Sequence, residues 1–379
     1  MSISSNPKPL ETARRAIDEI DAALLELLNR RANLSLEIGR IKREAANGTP
    51  VSIYDPKREQ ALLDALDAHN AGPLTHAHIR AIWSEILSSS RALQQPKNVA
   101  YLGPEGTFSY FAGIEFLGHS TRFHPCANFE DIFRLVQEGS CDLGVVPLEN
   151  SLQGTVGQNF DLLWRYDVKI CAEFLARIRH SLLSREKDLH AVKIIYSHPQ
   201  PFAQCNRWLR ENCPGAMLIP KESTAAAAGA ATEPETAAIG HVSLGPKLGL
   251  NTLASGIEDD PVNWTRFVLI TASGSQSESR SGANKTSLMF TLPDKAGTLA
   301  AVLDELASGG VNMRKLESRP LRGECWKYIF FADVECDLLS GEFTPLVKRL
   351  RDKCLSFRIL GSYPSGMRAA FGDMGEEQR

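Results

Sequence analysis

Apolar residues recur at spacings of three and four from Ala16 to Ile41, at Ile17, Ile20, Leu24, Leu27, Leu28, Leu34, Ile38 and Ile41. That period predicts one long amphipathic helix. Asn47-Gly48-Thr49-Pro50 stops it. Asp55-Pro56 reads as an N-cap with proline in the first helical position, opening a second helix to about Asn70. Ala71-Gly72-Pro73 breaks that helix, and a third runs from about Thr75 to Leu93. Residues 11–95 therefore read as helix throughout. After the linker Gln95-Pro96-Lys97-Asn98 the pattern changes. Short apolar runs at Val99–Leu102, Leu143–Val146 and Lys193–Tyr196 each lead into a polar turn and a helical stretch, and the region closes on Phe267–Ile270. Strand, turn and helix in repetition predict a parallel α/β domain. Residues 272–285 (ASGSQSESRSGANK) form a polar linker. Beyond it the expected order is strand (Thr286–Leu292), helix (Thr298–Gly309), strand (Met313–Ser318), strand (Trp326–Cys336), helix (Glu342–Lys353) and strand (Ser356–Tyr363). This βαββαβ order is the ferredoxin-like pattern.

Composition narrows the picture. A chain of 379 residues exceeds one core, and the expected division is 1–95, 96–272 and 284–368. A net charge of −3 offers no basic footprint for nucleic acid. The opening MSISSNPKPLETARR has no apolar signal region, and no apolar run reaches the roughly 18 residues of a membrane span, so a cytoplasmic protein is expected. The eight cysteines are scattered without a C-x-x-C and read as reduced thiols. The nine histidines include no HExxH, and His76 and His78 share a loop, so no metal or cofactor is expected.

Candidate chemistry gathers at the ends of the apolar runs. VPLENS (Val146–Ser151), YSHPQPFAQC (Tyr196–Cys205), ESTAAAA (Glu222–Ala228) and NWTRF (Asn263–Phe267) are rich in hydroxyl and amide side chains. Such strand-end clusters surround ligands in α/β folds, and these suit a small carboxylated molecule. Thr107, Ser223 and Thr224 enter helices, either as plain N-caps or as receptors for an anion. Arg266 offers a fixed charge. Glu149 is a pocket carboxylate or a helix cap, while His198, with Gln200 after it, reads as a structural turn. In the first helix Arg31 and Lys42 share a face about 16 Å apart and could pinch a small dianion. Arg14 lies about 25 Å beyond Arg31, so it serves such a site only from a second chain. The plain alternative is that all three are solvated charges.

Residues 11–95 resemble the all-helical chorismate mutase family, an intertwined homodimer. The matching pieces are Arg14-x-x-Ile17-x-x-Ile20-Asp21, Leu24-Leu25-x-Leu27-Leu28-x-x-Arg31, Ile38-Gly39-Arg40-x-Lys42, Asp55-x-x-Arg58-Glu59 and Ser90-x-x-x-Gln94. The resemblance places substrate contacts on Arg14, Arg31, Lys42, Asp55, Arg58, Glu59, Ser90 and Gln94. Lys42 and Gln94 would donate to the breaking ether oxygen, and Glu59 and Asp55 would take the substrate hydroxyl or backbone. Residues 98–271 resemble prephenate dehydratase through GPEGTFS (Gly103–Ser109), VPLENSLQGTV (Val146–Val156) and the three later clusters, all in the family's order. This implies two α/β lobes around a cleft, similar to periplasmic binding proteins. Thr265 would be the proton donor, with Glu149, Asn150, Ser223, Thr224, Arg266 and Phe267 around the substrate. Residues 286–364 resemble the ACT module through Asp294-Lys295-Ala296-Gly297-Thr298-Leu299 and Leu316-Glu317-Ser318-Arg319-Pro320, with Thr298 where many relatives carry Ala. An allosteric phenylalanine would sit on Gly297, Thr298, Leu299, Glu317, Ser318 and Arg319.

The resemblances together imply an enzyme converting chorismate through prephenate to phenylpyruvate, inhibited by phenylalanine and working as a homodimer or homotetramer. Two other readings remain: a dehydratase whose helical region only dimerises, and an amino-acid-responsive binding protein without turnover.

Overall fold

The computed structural model describes residues 9–45, 56–275, 282–321 and 327–368. The helical region holds α1 (Pro9–Ala45), α2 (Pro56–His69) and α3 (His76–Gln94), close to the expected limits. Thr75 caps α3 by accepting from the His78 N–H. Arg80 pins α2 to α3 through Asp64 at 3.0 Å and Asp67 at 2.7 Å. Helix α1 spans 37 residues, about 55 Å, and its only buried residues are Ser35 and Gly39. Both are small because α3 crosses there: a Cβ on Gly39 would stand 3.1 Å from Gln94.

The middle region comprises β1 (Asn98–Leu102), α4 (Phe108–Leu117), β2 (Arg122–Cys126), α5 (Phe129–Gln137), β3 (Leu143–Asn150), β4 (Gly154–Thr155), α6 (Gly157–Arg165) and β5 (Val168–Arg177). The chain then crosses to β6 (Ser181–Ser184), β7 (Ile194–Ser197), α7 (Pro199–Gln204), α8 (Asn206–Asn212), β8 (Met217–Pro220), α9 (Thr224–Ala230), β9 (Thr236–Gly240), α10 (Leu244–Leu248) and β10 (Asn251–Ser255). It returns in β11 (Trp264–Ala272). The C-terminal region is β12 (Lys285–Thr291), α11 (Thr298–Ser308), β13 (Met313–Pro320), β14 (Tyr328–Val334), α12 (Thr344–Lys353), β15 (Ser356–Tyr363) and β16 (Met367–Arg368).

Two sheets build two lobes, one ordered β16-β5-β11-β3-β1-β2 and the other β10-β6-β9-β7-β8. The expected parallel pattern holds for only part of these sheets. Strands β1, β2 and β3 are parallel, whereas β11 runs antiparallel to both β3 and β5. The cause is connectivity: β11 re-enters the first lobe from the second, and no crossover helix reverses it.

The C-terminal region has the expected βαββαβ order, in a sheet ordered β13-β14-β12-β15. Its helices cover one face, burying Leu288, Phe290, Val302, Leu306 and Leu350. The other face joins the core of the first lobe, with Phe331 edge-on to Phe160 at 4.4 Å. Gly361 permits this docking, since a Cβ there would lie 1.9 Å from the Ile170 carbonyl oxygen. No helix among the described residues is long and apolar enough to cross a membrane.

Candidate functional sites

The cleft between the lobes encloses about 500 Å³ and is lined by Thr107, Asn150, Gln204, Ser223, Thr224 and Thr265 among others. Strand register decides who reaches it. Thr265 pairs with Asn150, and the next pair along the ladder is Arg266 with Glu149. Successive side chains point to opposite faces, so the first pair enters the cleft and the second leaves it. The Asn150 Nδ2 donates to the Thr265 hydroxyl at 3.0 Å and to Asn263 Oδ1 at 2.8 Å. The Thr265 oxygen is thus supplied with a donor, and its own proton is directed elsewhere. Thr107 and Ser223 are N-caps, accepting from the Tyr110 and Ala226 N–H groups, while their helices open into the cleft. Phe267 lines it as well, though its ring stacks on Phe174 at 5.5 Å within the core.

Arg266 and Glu149 were expected around the substrate, and neither lines this cleft. Arg266 is 9% exposed. It forms ion pairs with Glu173 at 2.7 Å and Asp333 at 2.6 Å, and reaches the Tyr363 hydroxyl at 3.1 Å. Lys285 joins Glu173 at 2.9 Å, so two cations balance two carboxylates in a buried knot between first lobe and C-terminal sheet. Glu149 pairs with Lys315 at 2.9 Å, also toward that sheet. Among the described residues no arginine or lysine lines the cleft; its polar lining is hydroxyl, amide and imidazole groups with the carboxylate of Glu222.

Other cleft residues had weak signals. Gln204 belongs to the Tyr196–Cys205 cluster, but His180 sits in the first crossing between lobes with no motif around it. Its Nε2 lies 2.7 Å from Gln204 Oε1, and burial lowers its pKa, against the rise from that hydrogen bond. A neutral ring donates through Nε2, which leaves Nδ1 as an acceptor. That Nδ1 and the Gln204 Nε2 are both buried without a hydrogen-bond partner. His198 fills its turn role, accepting from the Gln200 N–H at 3.2 Å, and both residues line the cleft. Behind the cleft, burial pushes Glu115 up to about 7 and His241 down to about 4; the two groups stand 3.8 Å apart across the lobes.

In the helical region Arg31 donates to the Ser90 hydroxyl; burial lowers its pKa, against the rise from the charge of Glu59. Glu59 is gripped by Arg91 at 2.5 Å, a residue without a sequence signal. The Gln94 Oε1 is buried without a hydrogen-bond partner. Lys42 is half-buried on the C-terminal part of α1, while Arg14 and Arg58 are exposed. Asp55 lies outside the described residues. Arg31, Glu59, Ser90 and Gln94 are therefore gathered by α1, α2 and α3 of one chain, and Arg14 stands well up the same helix from them.

In the C-terminal region Gly297, Thr298 and Leu299 begin α11, on the helix-covered face of the sheet. The expected grouping with Glu317 and Arg319 is corrected within the chain. Glu317 accepts from the Thr155 hydroxyl at 2.6 Å and Arg319 pairs with Asp161 at 3.2 Å. Alternation along β13 turns these two toward the middle region and leaves Ser318 exposed on the other face.

Two family models match the chain, chorismate mutase type II over residues 13–95 and prephenate dehydratase over residues 99–275. The bifunctional chorismate mutase/prephenate dehydratase of Neisseria gonorrhoeae is 36% identical, covering 93% of this chain and 96% of the relative. The chain belongs to the bifunctional chorismate mutase/prephenate dehydratase family. Among solved structures, a prephenate dehydratase from Arthrobacter aurescens in complex with L-Phe superposes with a TM-score of 0.65 at 33% identity, covering 70% of this chain and 90% of that one. GqqA, described as a novel type of quorum quenching acylase, superposes at 0.64 with 28% identity, covering 71% of this chain and 98% of its own. The lobed architecture thus hosts more than one described activity. Full-length agreement with the bifunctional family, helical region included, discriminates between them.

Proposed function

We propose that residues 1–95 rearrange chorismate to prephenate, that residues 96–272 convert prephenate to phenylpyruvate, and that residues 284–368 form an ACT module through which phenylalanine inhibits. The observation that carries the second step is the Asn150–Thr265 pair facing a cleft of hydroxyl and amide groups. Loss of the ring hydroxyl as water and of one carboxylate as carbon dioxide leaves an aromatic ring, so aromatisation supplies most of the drive. Thr265 is a poor acid by itself; held by Asn150, it positions a proton toward the departing oxygen. Ser223 and Thr224 receive the carboxylates with their hydroxyls and the adjacent N–H groups, while the Thr107 hydroxyl, which donates to the Leu102 carbonyl at 3.0 Å, shapes the turn beside them.

The mutase step is a rearrangement without nucleophile. Arg31 and Lys42 grip the carboxylates and restrain the folded geometry, while Lys42 and Gln94 favour charge on the breaking ether oxygen. Ser90 and Arg58 complete the cradle, and Arg14 comes from a second copy, as its distance from Arg31 along α1 requires. The exposed apolar residues of α1, among them Ile17, Ile20, Leu24 and Leu28, support a dimer. Phenylalanine binds at the Gly297–Leu299 turn with Ser318, favouring one arrangement of the C-terminal sheet.

Incubation with chorismate should yield prephenate and then phenylpyruvate, more slowly with phenylalanine present. Chorismate consumption without phenylpyruvate would remove the dehydratase reading, and unchanged kinetics at saturating phenylalanine would remove the regulatory one.

A further inference from the structure

The C-terminal half of α3 carries mutase-site residues along one side and docks on the middle region with another. Ser90 and Gln94 are one helical turn apart and share a face. Arg91 sits beside Ser90 and reaches two regions at once. Its Nη1 lies 2.5 Å from both Glu59 oxygens, and its Nη2 donates to the Leu117 carbonyl at 2.8 Å. Leu117 is the last residue of α4. The final carbonyls of a helix have no intrahelical partner and carry partial negative charge, which makes them natural acceptors for a guanidinium. The Thr121 hydroxyl also donates to that carbonyl, at 3.3 Å. The surrounding contact is secured independently, by Glu85 with His119 at 2.8 Å and by the Ser88 hydroxyl accepting from the Ser120 N–H at 3.2 Å.

We propose that Arg91 is a positioning residue for the mutase reaction, fixing the Glu59 carboxylate and anchored in turn by the end of α4. The inference rests on the mutase reading given above. A guanidinium is a rigid fork; with one arm held by Leu117, the other has little freedom, and Glu59 inherits that order. The side chains of Arg91 and Glu59 are only 15% and 20% exposed, so the pair is shielded in part from water. The charge matters as well as the geometry. A doubly negative substrate approaching Glu59 meets a carboxylate whose charge Arg91 already offsets. A carboxylate accepts about four hydrogen bonds, so Glu59 keeps capacity for the substrate hydroxyl while Arg91 holds it.

The arrangement also means that a residue essential to one site is oriented by a helix of the other. The opposite end of α4 opens at Thr107 and Phe108, in the dehydratase cleft.

The test compares Arg91→Ala, Arg91→Lys, Glu59→Gln and the double variant Glu59→Gln/Arg91→Ala in the full chain. Mutase activity is followed on chorismate and dehydratase activity on supplied prephenate. Arg91→Ala should lower mutase kcat/KM by about tenfold to a hundredfold, the usual worth of a hydrogen bond to a charged group. Dehydratase turnover should change by less than about threefold, since Glu85 and Ser88 still hold the contact. Arg91→Lys should restore part of the loss, because an ammonium supplies charge without the fork. The double variant should match Glu59→Gln within about twofold, as expected for residues acting as one unit. Additive losses, or a parallel fall of both activities, would show a purely structural arginine and overturn the proposal. So would wild-type mutase kinetics in Arg91→Ala. A parent enzyme that leaves chorismate untouched would overturn the mutase reading itself, and this inference with it.

Discussion

The cleft and the long helix, the two regions proposed to hold a small dianion, are built by opposite means. The cleft is finished within one chain. Its floor is made of fully buried strands, its helices are capped by their own side chains, and Thr265 is already paired with Asn150. Helix α1 is unfinished, with Leu24 and Ile20 half or more exposed and only Ser35 and Gly39 buried. A sheet buries its faces against elements that follow it in the same chain. A 37-residue helix outruns the two shorter helices beside it. A site on strand ends can be complete within one chain, while a long helix with an exposed apolar stripe is the element that gains from association.

The largest effect is expected at Thr265. Thr265→Ala should lower dehydratase kcat by a hundredfold or more, in the range for a positioned proton donor, and leave mutase rates on chorismate intact. Loss of both would mean that the two sites are not separate.

Next comes the buried knot that ties the cleft strand to the C-terminal sheet. Arg266→Ala leaves Glu173 and Asp333 with Lys285 alone, and removing one partner of a buried pair costs about 3–5 kcal/mol. Thermal unfolding should show the loss, and phenylalanine inhibition should weaken because the two regions no longer share the network. Undiminished inhibition would uncouple the knot from regulation.

A smaller effect is expected from Glu115. Its folded-state pKa of about 7 exceeds the ordinary 4.5, so between those values the native state holds a proton that the unfolded chain has released. Stability of the lobes should therefore fall as pH rises through that window, by roughly 3.4 kcal/mol at most. Glu115→Gln should remove this decline. His241 has the opposite sign: its folded value of about 4 lies below the ordinary 6.5, so stability falls as pH drops between them. Melting curves from pH 4 to 8 for the parent and for Glu115→Gln would separate the two, since only the decline at the alkaline side should vanish in the variant.

The mildest perturbation addresses the helix. If α1 pairs with a second copy as proposed, Leu24→Glu with Leu28→Glu should lower the sedimenting mass and reduce mutase activity about tenfold, with dehydratase turnover near that of the parent. A monomer that keeps full mutase activity would mean that Arg14 is not needed from a second chain.

Much of this was legible along the chain. The helices of residues 9–94 and the βαββαβ order follow from local periodicity and from breakers such as Ala71-Gly72-Pro73, and the structure departs from those limits by a few residues. The cleft clusters were visible because hydroxyl and amide residues sit where apolar runs stop. Direction was harder to read. Thr265, Arg266 and Phe267 are adjacent in one motif and look like one site, yet the pleat sends Arg266 to the far face. Glu149 beside Asn150, and Glu317 with Arg319 around Ser318, went astray for the same reason. Arg91 and His180 had no local signal at all, because their partners Leu117 and Gln204 are 26 and 24 positions away.

The order of residues alone determined which segments become helix or strand and where polar chemistry concentrates, since those depend on neighbours within a few positions. Tertiary structure decided which face each side chain takes, which charges neutralise one another and which helix stays uncovered. Those outcomes depend on strand register and on groups far apart in sequence, and a one-residue step along a strand reverses them.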